Sequence, residues 1–144
     1  RFLRKGRNML NIVGEKLHVN QVLEAAIFAA QETKLEWVQF RMIPDIKNSQ
    51  HQFLVEFTDQ NPSLGRLEDF MKHFDDRLFF ENSEYPSKRK SGRLGAPKVI
   101  VMKSGWSKGL QALDIQNGKR EVQYKWQYMA DDWDDYSKTC IKNL

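Results

Sequence analysis

The sequence predicts an α+β fold, a small mixed or antiparallel sheet covered on one side by helices. Two segments carry apolar residues at helical spacing, and a segment between them alternates apolar and polar residues at strand spacing. No internal repeat interrupts this order. With 144 residues, 40% of them hydrophobic and 12% aromatic, the chain fits one domain around one core.

The elements follow in order. Phe2–Leu3 and Met9–Val13 are short apolar runs flanking the polar segment 4–8, which suggests a hairpin-like turn closed by Gly6; Gly14 ends the second run. From Val19, the positions Val22, Leu23, Ala26, Ile27 and Ala30 form the stripe of an amphipathic helix ending near Thr33. Trp37–Ile43 is strand-like and stops at Pro44, and Gln52–Phe57 places Phe53, Val55 and Phe57 on one face, so the two read as antiparallel neighbours. Asn61-Pro62-Ser63 marks a loop and helix cap before a second stripe at Leu67, Phe70, Met71, Phe74 and Leu78, reaching about Glu81. The basic stretch "NSEYPSKRKSGRLGAP" reads as a linker to a short buried strand at Val99–Met102. Trp106–Ile115 predicts another helix, closed by Asn117-Gly118, and the acidic tail 130–144 is expected to fray.

Composition excludes several classes of function. No apolar run reaches the roughly 18 residues of a membrane span and no cleavable leader is visible, which predicts a cytoplasmic protein. Cys140 stands alone, and His18, His51 and His73 are too dispersed for a local metal motif, so no metal site is predicted. The net charge of +4 and pI near 9.2 permit an anionic partner without specifying one.

Arg4, Lys5 and Arg7 around Gly6 can supply cationic donors to a phosphate, or form a solvated turn. Gly14 allows close approach of the backbone, with Glu15 and Lys16 expected to project just before the helix; a plain strand-to-helix turn is the other reading. The glycine spacing of a Walker or Rossmann loop is absent. The opening inside a basic turn, without an initiator Met, is expected of a piece cut from a longer chain.

The arrangement "KGRNMLNIVGEKLHVNQVLEAAI" resembles the start of the C-terminal domain of adenylate-forming enzymes. The later pieces "NSEYPSKRKSGRLGAPKVIV" and "VQYKW" resemble, more narrowly, the auxin-responsive promoter family of acyl acid amido synthetases, especially its bacterial members. This resemblance covers about Phe2–Trp126. It implies a ligase that adenylates a carboxylic acid with ATP and Mg, then passes the acyl group to an amino acid, its small C-terminal domain turning on a hinge between steps. The hinge falls near Arg4–Gly6, and the partner is a large N-terminal ATP-binding domain absent from residues 1–144; the fragment alone is expected to be inactive.

The resemblance also implies residue roles. Lys125 matches the lysine that stabilises the adenylation transition state, and Arg7 the arginine that reaches the ribose or phosphate side of the adenylate. Gly14, Glu15 and Lys16 match the turn facing the active site after rotation, and a pivot is expected to bring Lys125 and this turn to a common cleft. The chain departs from the family in having Asn8 where Asp is usual, and Trp126-Gln127 after Lys125 where a small residue and Pro-Arg are usual.

The alternative reading is a non-enzymatic module for nucleic acid or protein, suggested by Lys88, Arg89, Lys90 and Arg93 near Tyr85. No paired aromatics in a glycine-rich strand support RNA binding. The acids at Asp75-Asp76 and Asp131–Asp135 read as solvated.

Overall fold

Apolar periodicity delivers the two long helices. In a computed structural model describing residues 8–118 and 124–142, α1 spans Val19–Thr33 and α2 spans Leu64–Glu81. Ser63 caps α2 by accepting the Arg66 backbone N–H at 3.2 Å, and α1 stops where Lys34 turns left-handed at φ 57°. The buried stripe of α1 is Val22, Ala25, Ala26 and Ala29, rotated slightly from the predicted one, so that Ile27 is exposed. The alanines let α1 lie close to α2, which presents Leu67, Phe70, Phe74 and Leu78.

These helices cover one face of a three-stranded sheet. Strand β3 (Trp37–Asp45) pairs antiparallel with central β4 (Gln50–Phe57), and β4 pairs parallel with β5 (Lys98–Val101). Alternation along β4 sends Phe53, Val55 and Phe57 to the helices and Leu54 to the other face. The Phe53 ring lies 4.5 Å from Phe74, 5.1 Å from Phe40 and 6.0 Å from Phe70, centroid to centroid. Burying each such side chain contributes about 1.5–3 kcal/mol.

The amino end carries a pairing that the sequence did not announce. The segment 1–7, with Gly6 and the expected hinge, lies outside the described residues, and β1 (Met9–Leu10) pairs antiparallel with β2 (Leu17–His18) around the turn 11–16. The basic stretch is not a plain linker either. It contains a short helix, α3 (Tyr85–Lys90), anchored because the buried Tyr85 hydroxyl donates to Asp75 at 2.5 Å and Arg89 pairs with the same carboxylate at 2.6 Å.

Helices cover more than one side of the sheet. The second face is roofed by α4 (Trp106–Gln116) and by the tail expected to fray, which forms the helical turn α5 (Asp135–Lys138). Ile43, Leu54, Met102, Trp106 and Cys140 form this second core, with Trp126 and Trp133 packed against it. Residues 130–142 hold because their polar groups are used. Asp134 accepts from the Ser137 N–H and hydroxyl at 2.7 Å each, Ser137 accepts from Trp106 Nε1 at 2.8 Å, and the Lys142 N–H donates to the Val101 carbonyl at 2.8 Å. No helix among the described residues is long and apolar enough to cross a membrane.

Candidate functional site: a braced glycine turn and an edge lysine

The turn between β1 and β2 is built around glycine and a buried acid. Gly14 has φ +102°, a backbone angle that side chains rarely tolerate. Its N–H donates to Asn11 Oδ1 at 2.7 Å. Glu15 does not project: it is fully buried, and its carboxylate accepts from the N–H groups of Ile12 and Val13 at 2.8 Å each and from His51 Nε2 at 2.6 Å. Burial alone would raise the Glu15 pKa. The hydrogen bond from His51 and those from the backbone of Val13, Glu15 and Ile12 outweigh it and lower the value to about 2.

Two further segments close on this turn. His51, at the start of β4, is buried and ties Glu15 to the sheet, while its Nδ1 has no hydrogen-bond partner among the described residues. Asn82 bonds the Lys16 carbonyl at 2.9 Å and accepts from the N–H groups of Glu84 and Tyr85, joining the turn to α3. Lys88 of α3 lies over Gly14, where a Cβ would stand 3.2 Å from its Cε. Lys16 is exposed, with a left-handed φ of 46°. Gly14→Ala is expected to lower stability by about 1–3 kcal/mol, since it combines a disfavoured backbone angle with a tight contact. A urea midpoint equal to that of the parent sequence would contradict this.

Lys125 belongs to a different surface. It is exposed and is followed by a segment fastened to the outer edge of β3. Trp126 Nε1 donates to the Phe40 carbonyl at 2.8 Å, the Met42 N–H to the Tyr128 carbonyl at 2.8 Å, and the Ala130 N–H to the Met42 carbonyl at 3.1 Å. Arg41 reinforces the attachment: its Nε donates to the Gln127 carbonyl at 2.9 Å, and its guanidinium lies 4.7 Å from the Trp126 ring centroid and 3.4 Å from Asp134 Oδ2. Tyr124 and Trp126, flanking Lys125, line a cleft of about 630 Å³ with Val38, Gln39 and Glu56. Burial first, then the charge and hydrogen bond of Asp114, raise the Tyr124 pKa to about 12, so it stays a neutral donor. Across the cleft, Glu56 accepts from the N–H groups of Gly105 and Ser107 at 3.0 and 2.9 Å, capping α4 where Gly105 has no side chain to do so.

The structure therefore does not bring the predicted residues into one cleft. The Glu15 turn meets the sheet where His51 pairs with Pro44, whereas Lys125 lies beside the opposite end of β3, near Val38. Six residues of strand separate those points, on the order of 20 Å. Arg7 lies outside the described residues. Among the described residues no cluster of His, Cys, Asp and Glu is arranged to hold a metal. Sequence reasoning missed Asn82 and Arg41, set His51 aside as a dispersed histidine and read Lys88 only within a basic cluster. The parity of His51 with Phe53 and Val55 along β4 was the one local sign that it points inward.

This architecture is shared with a domain of solved acyl acid amido synthetases. A solved GH3.15 acyl acid amido synthetase is similar over 93% of this chain, at 17% identity and a TM-score of 0.79. The structure titled AtGH3.15 acyl acid amido synthetase in complex with 2,4-DB is similar over 96%, at 15% identity and a TM-score of 0.78. This chain spans 26% of the length of each. The model of the GH3 family C-terminal domain matches residues 20–133, and the chain belongs to that family. The match bears out the resemblance to the family and to its C-terminal domain. No curated protein matches the chain.

Proposed function

We propose that this is the mobile C-terminal domain of an ATP-dependent ligase that adenylates a carboxylic acid and transfers the acyl group to an amino acid. In the first step a carboxylate oxygen attacks the α-phosphorus of ATP and the bond to pyrophosphate breaks. In the second the amine attacks the acyl carbon, AMP leaves and the amine's proton passes to solvent. Charge shifts around the α-phosphate only in the first, so a lysine delivered then stabilises that transition state electrostatically.

The observation carrying this reading is the placement of Lys125, exposed beside a cleft on a segment bolted to β3. Such a lysine cannot be delivered by loop motion; it must move with the whole domain. The Gly14 turn, about 20 Å away by strand length, suits the second step, so a rotation offers the two surfaces in turn and not together. ATP and Mg would be held chiefly by a large N-terminal domain, in a cytoplasm that supplies ATP and free amino acids. Arg7 keeps its proposed place on the ribose or phosphate side of the adenylate.

Carboxylate-dependent exchange of pyrophosphate into ATP tests the reading. We expect exchange from a chain carrying this domain behind its N-terminal domain, and none from residues 1–144 alone. Exchange by residues 1–144 alone, or its absence from the longer chain with a broad panel of acids, overturns the proposal.

A further inference from the structure

The acid and the principal backbone donors of the Gly14 turn are spent within the fold, and Lys88 of α3 lies against the turn with its charge unspent. Glu15 is spent on two backbone N–H groups and His51, and the Gly14 N–H on Asn11. Arg89, one residue from Lys88, is spent on Asp75 at 2.6 Å. Lys88 differs from its neighbour. Its Nζ stands 3.5 Å from where a Gly14 Cβ would be, and among the described residues it has no carboxylate partner.

Its backbone is also held in place. The Lys88 carbonyl accepts the Leu94 N–H at 3.0 Å, the Gly95 N–H donates to the Ser49 carbonyl at 2.8 Å, and Ser49 Oγ donates to the Arg93 carbonyl. The segments 48–51 and 88–95 therefore lock to each other beside the turn. With the turn's principal N–H donors engaged, an anion arriving there meets an ammonium and not a backbone nest. A compact ammonium carried on an anchored backbone suits a single carboxylate.

We propose that Lys88, laid across Gly14, binds the α-carboxylate of the acceptor amino acid during acyl transfer. This rests on the ligase reading above and on the Gly14 turn facing the reaction in the second step. The alternative source of the anion is the phosphate of the acyl-adenylate.

The test compares Lys88→Met and Lys88→Arg in the longer chain, with an accepted amino acid and its carboxamide as acceptors. The preference for the acid, read as a ratio of kcat/KM values, should fall at least 10-fold in Lys88→Met through a higher KM, and Lys88→Arg should recover much of it. Equal losses for acid and amide overturn the proposal, as does an unchanged preference. A loss that falls on pyrophosphate exchange assigns the anion to the nucleotide phosphate and overturns it too. Absence of exchange from the unsubstituted chain instead defeats the ligase reading, and this inference with it.

Discussion

Lys125→Ala, in the longer chain, should reduce carboxylate-dependent pyrophosphate exchange by about 10²–10³-fold, the usual effect of removing one preorganised charge from a transition state. The unfolding midpoint should stay within measurement error. Lys125 is exposed, its ammonium has no ion-pair partner among the described residues, and its segment is held by Trp126, Gln127 and Tyr128. Stability and exchange are thus expected to respond separately. The substitution should act on kcat more than on the KM for ATP, because the interaction is made at the top of the barrier. An exchange rate unchanged by the substitution would remove Lys125 from the mechanism.

Glu15→Gln should destabilise residues 1–144 by about 3 kcal/mol near neutral pH. One carboxylate oxygen faces the Val13 N–H, the other faces the Ile12 N–H and His51 Nε2, so an amide nitrogen must oppose at least one donor. The pH dependence gives the effect a sign. The folded pKa of about 2 lies below the ordinary 4.5, so the contribution is fully present above pH 4.5 and is lost as pH falls toward 2. Urea unfolding across that window should show a decline in the parent sequence that Glu15→Gln lacks. Identical pH profiles for the two would show that the pair does not carry this energy.

What the sequence disclosed was local. Thr33 as the end of α1, the cap at Ser63 and the alternation through Phe53, Val55 and Phe57 depend on spacing within a few residues, and each stands in the structure. Features built from distant partners were hidden. Glu15 and His51 are 36 residues apart, and nothing next to Glu15 announces that its charge will be buried. The stretch around Pro86 reads as a linker until Asp75 on another helix supplies an acceptor for Tyr85 and Arg89. The tail reads as solvated because its acids are counted as charges; Asp134 instead serves as a hydrogen-bond acceptor for Ser137 and Arg41. Similarly, the strand was expected to stop at Pro44, yet β3 continues to Asp45 opposite Gln50. The Lys125 region was found through resemblance, since a lone lysine among aromatic residues carries little signal of its own.

The ribbon of residues 126–130 along β3 has one more consequence. Without it, Phe40 and Met42 would offer unpaired carbonyl and amide groups on a rim beside the exposed Val38, an invitation to strand addition by a second copy. The peptide that follows Lys125 thus also covers the hydrogen-bonding edge that β3 would otherwise present to solvent.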